Sequence, residues 1–414
     1  MPPAARWWES FGSPTLSALV DRALAANLEI EARRLRVREA ELDPSVPRGW
    51  LYPLRLDITG ELSRARDFAD LAQTTSQFFS QSGLLATASY ELDLAGRRAA
   101  LRRAGDQREE ALRDEGEAVT SAVAAEVADT WFALLEERSQ HALLARQVEE
   151  GLGLLSLVQA RVDRELSSRL DLLQQRLQVA STKALIPQVE DRQHKFENRL
   201  AALLGEERSR LPDDASLPAL PQKPSSTAEQ IARRPDVREA DARIAEAQAR
   251  ERAQLATWAP TVSLFARGGE RTFELTQSPF RPIWGFGAQL VWPLFDGGQR
   301  IVATAQLEAE SERLRAERAQ VMLRAGRDVD DAFVSEDKTA EFLAEIADEL
   351  STGRAALEEA KTRYQHGLND YTPVLTSLRI VFELERARLT AQAQLLAVRV
   401  HLHEVLTGAD RSHL

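Results

Sequence analysis

Val291–Arg300 reads VWPLFDGGQR, and Ser89–Arg98, about two hundred residues earlier, reads SYELDLAGRR. Each stretch begins with alternating large and polar residues, reaches a glycine followed closely by arginine, and opens into a long charged, alanine-rich tract. A junction written twice points to an internal repeat. Asn27–Glu41 lines up with Arg234–Gln248, pairing Ile30 with Val237 and Val37 with Ile244. Pro53 then matches Pro260, Gly96 matches Gly297, Arg161 matches Arg363, and Gly205 in NRLAALLG matches Gly408 in VHLHEVLTG. The landmarks keep their order, so the chain reads as a tandem duplication. Its halves are 1–204 and 226–408, joined by the linker 205–225 and followed by a short tail, 409–414.

Each half carries one hairpin, about 51–94 and about 261–295. In the first, Leu54, Leu56, Ile58 and Leu62 alternate with Arg55, Asp57, Thr59, Glu61 and Ser63, and Leu84 to Leu94 repeats the pattern. In the second, Val262, Leu264 and Ala266 form a weaker strand, and Trp284, Phe286, Ala288, Leu290, Trp292 and Leu294 a stronger one. A period of two with one apolar and one polar face is strand. Outside the hairpins the period is helical: Arg97 to Arg164 and Gln299 to His366 are unbroken except for isolated glycines. Each would span roughly 100 Å as one helix. Leu343, Ile346, Leu350, Gly353, Leu357 and Ala360 form one coiled-coil seam, and Leu170, Leu173, Leu177, Ala180 and Ala184 a second. Ser167-Ser168 and Asn369-Asp370 are the expected helix N-caps at two reversals. Pro373 falls in the first turn after the second reversal, and Pro187 lies inside a helix and is expected to kink it. A capping box from Ser226 to Glu229 predicts one helix running from there to Trp258. The linker is expected halfway along the shaft.

Composition narrows the function. The 414 residues carry a formal net charge of -11, with 28% charged and 6% aromatic residues. An acidic chain with interspersed arginines is no duplex nucleic-acid binder, because counterion release needs a positive surface. The absence of cysteine excludes disulfides, thiol catalysis and Cys-based zinc sites. Scattered histidines offer no metal ligand set, and no dinucleotide fingerprint, phosphate loop or nucleophile elbow is present, so neither catalytic residue nor cofactor is expected. No run of 18 apolar residues predicts a transmembrane helix. MPPAARWWESFG has neither the basic start nor the apolar core of a signal peptide.

Two hairpins with one apolar face each, and no helix dedicated to covering them, suit an outer-membrane barrel. Open strand edges cannot sit in hydrocarbon and single-chain barrels have at least about eight strands, so other copies must complete the ring.

The segments Trp7–Glu41, SYELDLAGR, IARRPDVREADARIAEAQAR, VWPLFDGGQR and RYQHGLNDYTPVLTSLR together resemble the outer-membrane efflux protein family, the TolC-like channels, and most of all its lipoprotein branch that works with resistance-nodulation-division pumps. The resemblance implies an α+β, mostly α fold and a homotrimer, in which four strands per chain make a shared twelve-stranded barrel above a long periplasmic helical barrel. It implies a passive exit duct of a tripartite efflux or type I secretion-like system, with a periplasmic adaptor, an inner-membrane pump and outer-membrane lipid as partners. Relatives carry a signal peptide, often with a lipidated cysteine, ahead of the position of Trp7. By the family pattern RVDRELSSRLD and RYQHGLND are the tip turns, Asp171 and Tyr364 the gate pair and Gly367 the tip glycine. Glu165 stands where the first turn expects glycine, and Asp370 is the candidate for an acidic ring. Gly96, Asp296, Gly297 and Gly298 mark the strand-to-helix junctions, with Asp296 expected to cap a helix. Trp284, Phe286 and Trp292 are the candidate membrane-facing aromatics. The alternatives are a periplasmic adaptor and a coiled-coil scaffold without channel activity.

Overall fold

The computed structural model describes residues 6–49, 51–68, 76–208, 211–212, 216–225, 228–272 and 281–408. The chain forms two compact units, each assembled from both halves of the sequence. One holds residues up to Arg36, Leu112–Glu239 and Ala319 onward; the other holds Val37–Ala111 and Ala240–Arg318.

The second unit contains the strands β1 (Leu54–Phe68), β2 (Ser76–Leu92), β3 (Thr261–Thr272) and β4 (Arg281–Val291). They form one antiparallel sheet in the order β1-β2-β3-β4, so β2 and β3 join the two hairpins. β4 stops at Val291, short of the expected Leu294, because Pro293 has no N–H for a ladder bond. Flanking the sheet, this unit packs helix on helix through small side chains: Val37, Ala40, Val46, Ala100, Ala104, Ala247 and Ala249 are buried. Gly105 is required at one such contact, since a Cβ there would lie 2.6 Å from both Val46 methyls.

The first unit is helical. A 3-10 turn, Trp7–Phe11, precedes α1 (Pro14–Ala26) and α2 (Leu28–Glu41). Asn27 divides them: its Oδ1 accepts from the N–H groups of Glu29 and Ile30, and its Nδ2 donates to Leu203 O at 3.0 Å. The long helices are α3 (Arg97–Val162), α4 (Arg169–Leu203), α7 (Gln299–Gln365) and α8 (Thr372–Thr407), with α3 and α7 contributing residues to both units. α4 continues through Pro187 as one helix. The expected single helix from Ser226 to Trp258 is instead α5 (Ala228–Ala232), α6 (Pro235–Leu255) and a 3-10 turn. Pro235 sets the break by biasing Arg234 away from helix and removing a donor. The buried Arg234 holds the corner with bonds to Asp236 and to Val405 O. Ser226, the expected start of the capping box, lies outside the described residues.

Two apolar clusters form in this unit. Trp7, Trp8 and Phe11 pack with Leu16, Leu19, Trp131, Phe132, Leu200 and Val400 in the first. Val158, Leu172, Leu350, Leu357, Tyr364, Tyr371, Leu378 and Phe382 form the second. A stretch of α3 is long and apolar enough to cross a membrane, but it is 83% buried within the fold. That burial accounts for its composition. The seam expected on α4 is corrected. Leu170, Leu173, Leu177, Ala180 and Ala184 are exposed, and α4 buries Leu172, Gln175, Val179, Thr182 and Val189. Both stripes keep heptad spacing, and Gln175 and Thr182 disguise the inward one as polar.

Candidate functional site

The sheet register sorts side chains by chemistry. Directly paired residues share a face. Leu56, Ala88, Ala266 and Phe286 therefore make one row, and Ile58, Ala86, Gly268 and Trp284 the next. The same face carries Leu54, Leu62, Leu84, Leu264 and Leu290. Among the described residues nothing covers it: Trp284 and Phe286 are each 80% exposed and their rings stack. The opposite face is polar. Glu61, Gly83 and Arg271 fall in one row, and Arg271 reaches Glu61 at 3.5 Å across the glycine. Leu85, Phe265 and Ile283 are large apolar exceptions on it, and Phe265 lies over Gly287, where a Cβ would approach its ring to 2.9 Å. Among the described residues, β1 and β4 each pair on one side only. The sheet thus has two open edges and one bare apolar face.

At the junctions, strands become helices through left-handed glycines: Gly96 has φ 73°, Gly297 φ 67° and Gly298 φ 86°. An aspartate follows the strand in each half. Asp93 accepts from the N–H groups of Arg98 and Ala99, and Asp296 from those of Gly298 and Arg300. The Arg300 side chain also donates to Asp296 at 2.7 Å and holds its carboxyl below the usual carboxylate range. Arg300 then donates to Thr257 O and Pro293 O, and its guanidinium lies 4.6 Å from the centre of the Trp258 ring. Trp292, just past β4, donates its indole N–H to Trp258 O at 3.1 Å. Asp93 and Arg300 were missed in the sequence, although an aspartate stands within three residues before a glycine at each junction, in DLAG and in DGG.

The two helix reversals lie in the first unit. After α3, Glu165 adopts φ 57° and Leu166 N donates to Arg161 O; after α7, Gly367 adopts φ 72° and Leu368 N donates to Arg363 O. Both are the same left-handed helix ending, one made by glycine and one by glutamate. Ser168 caps α4, closing a capping box with Asp171. The second reversal departs from expectation. Tyr371 is the N-cap of α8 without a side-chain bond, and Asp370 is exposed. The reason is Tyr371 itself, whose fully buried ring fixes the entry into α8 and leaves Asn369-Asp370 outside the first turn. Pro373 sits in that first turn.

Asp171 and Tyr364 meet through Ser167, which the sequence offered only as a helix cap. The Ser167 hydroxyl donates to Asp171 Oδ2 at 2.7 Å and lies 2.9 Å from the Tyr364 hydroxyl. Serine has one proton, already given to a carboxylate that only accepts, so Tyr364 is the donor in the second bond. Tyr364 is 4% exposed, with the Arg161 guanidinium 4.6 Å from its ring centre and Tyr371 edge-on at 5.2 Å. The Tyr371 hydroxyl donates to Gln175, which donates to Gly151 O. Burial, with Tyr364 and Asp171 nearby, pushes the Tyr371 phenol above its ordinary value. Two short polar chains, Tyr364–Ser167–Asp171 and Tyr371–Gln175–Gly151, therefore meet on α4 and tie it to α7, to the start of α8 and to α3.

A family model described as outer membrane efflux protein matches residues 19–206 and again 228–408. The chain belongs to the outer membrane efflux protein family. As a member it is an outer-membrane efflux channel protein, and the adaptor and scaffold alternatives fall. This efflux protein is 27% identical over 98% of its length to the pyoverdine export outer membrane protein OpmQ of Pseudomonas putida, covering 88% of that protein. The outer-membrane channel OprN superposes with a TM-score of 0.87 at 24% identity, covering 98% of this chain and 93% of its own. The outer membrane protein VceC of Vibrio cholerae gives a TM-score of 0.85 at 20% identity, covering 99% of this chain and 100% of its own. The α+β, mostly α, TolC-like fold follows from these likenesses.

Proposed function

We propose that three copies of this chain form an outer-membrane exit duct, a passive conduit for small molecules in a tripartite system driven by an inner-membrane pump. The observation that carries the reading is the four-stranded sheet with a bare apolar face and two open edges. In hydrocarbon each unpaired edge N–H or C=O costs several kcal/mol, so the edges must pair with those of other copies. Closure by three copies places Trp284 and Phe286 against lipid and Trp292 at its boundary. The exposed leucine stripe of α4 supports assembly in the same way, since Leu177 is 67% exposed in the single chain. The polar face then lines water.

In the first unit, the Tyr364–Ser167–Asp171 chain ties the helices in the closed state, and its release accompanies opening. The turns at Glu165 and Gly367 are the docking points for an adaptor, with the exposed Asp370 lending them negative charge. Energy comes from the pump, so this chain needs only to hold a path and release a tie.

The test is negative-stain imaging of protein exported with a signal and extracted from outer membranes in detergent. A threefold cylinder well over about 100 Å long, with a detergent belt at one end, is the expected result. A detergent-independent rod of one or two chains overturns the reading.

A further inference from the structure

In the first unit, α3 and α8 change character between the two apolar clusters. Gln140 donates to Arg386 O, Gln147 donates to Phe382 O, and Arg386 donates back to Gln147. Beside this polar contact α3, α7 and α8 line a half-open cavity of about 300 Å³. That volume is at the lower bound of small-molecule sites, about 300–1,000 Å³. Leu143, Leu350 and Leu389 supply its apolar lining, and Gln147 and Gln392 neutral hydrogen-bonding groups.

Its charges are unevenly matched. Glu385 receives Arg354, and Glu150 receives Lys361 from the side. Both carboxylates of the lining are thereby engaged. Arg146 and Arg388 also line the cavity, and neither has a hydrogen-bond or ion-pair partner among the described residues. A guanidinium stays charged at any physiological pH, and its planar fork of N–H donors matches a carboxylate. Arg388 is half-buried, so its donors have less access to water than those of a free surface arginine.

We propose that this cavity binds a small soluble carboxylate with a compact apolar body, its carboxylate on Arg388 and Arg146 and its body against Leu143, Leu350 and Leu389. The site is separate from the sheet and from the Tyr364 chain, and it does not depend on the duct reading.

The probe is 4-fluorobenzoate, followed by fluorine NMR with the assembled protein in lipid nanodiscs, and the neutral isostere 4-fluorobenzamide is the comparison. Benzoate is expected to bind at least about tenfold more tightly than benzamide, the size of a charge-assisted bond. Arg388→Gln should remove that preference, Arg388→Lys should restore part of it, and Leu389→Trp should abolish binding by filling the space. Equal binding of the two probes, no binding to the assembled protein, or an unchanged preference in Arg388→Gln overturns the proposal. Conductance of the same preparation separates the two readings: a conducting preparation without benzoate preference sinks the site alone, and a binding preparation that never conducts sinks the duct alone.

Discussion

Ser167→Ala is the sharpest probe of the helix tie. The substitution removes the oxygen that joins Tyr364 to Asp171 and leaves the start of α4 intact, because Ser168 still caps it and Asp171 still accepts from Ser168 N at 3.0 Å. Two bonds are lost. The one to the Asp171 carboxylate is worth about 2 kcal/mol and the neutral one to Tyr364 about 1 kcal/mol. Partial exposure of the node brings the sum to about 2–3 kcal/mol, or roughly 30- to 150-fold in a closed-to-open equilibrium. Tyr364→Phe removes only the neutral bond and should shift the equilibrium roughly fivefold. Because Tyr364 donates only to Ser167, the double variant should behave like Ser167→Ala alone, to within about 0.5 kcal/mol. The assay is single-channel open probability in planar bilayers without pump or adaptor. Gating in Ser167→Ala indistinguishable from wild type, or strictly additive effects in the double variant, would refute the tie.

Glu165→Gly should steady the first tip turn by about 1 kcal/mol, because a left-handed non-glycine residue costs about 1–2 kcal/mol and glycine returns part of that as unfolded-chain entropy; slower amide exchange at Leu166 is the readout. Burial beside Arg399 lowers the His403 pKa to about 4 from 6.5. The unfolded chain therefore takes up the proton first as pH falls, and up to about 3 kcal/mol of stability is lost between pH 6.5 and 4. His403→Phe should keep the stack on Trp7, at 5.3 Å in the wild type, and flatten that acid limb in thermal melts. Trp284→Arg on the bare face should cost about 2–4 kcal/mol if the residue lies near the bilayer midplane, read as loss of folded protein in outer-membrane fractions, while Gln289→Arg on the polar face should be tolerated.

How far the sequence could be read depended on whether a residue's role is local. Side-chain direction in a strand has period two, so the apolar face of Leu54 to Leu62 was visible before any pairing was known. The junctions were visible because glycine and an acidic residue act on backbone groups within a few positions. The long helices were visible because nothing in them breaks the period. Two of the failures have a common cause. Leu170, Leu173 and Leu177 are the more apolar stripe of α4, yet the chain buries Gln175 and Thr182, whose polar groups find partners on α3, on α8 and within α4. Apolar periodicity identifies a face that needs covering and says nothing of who covers it. Ser167 was read only as a cap beside Ser168 for a similar reason: its value lies in an oxygen placed between Asp171 and Tyr364, almost two hundred residues apart.

The sequence by itself determined most of the elements and their order, since these rest on local backbone preference and spacing, and its motifs pointed by resemblance to the family. Only the tertiary structure decided that β2 pairs with β3 to make one sheet from two hairpins, that α4 turns its leucines outward, and that a serine hydroxyl completes the tie between Tyr364 and Asp171. Those outcomes depend on which distant backbone edges and side-chain oxygens come within hydrogen-bonding distance, a condition that only packing sets.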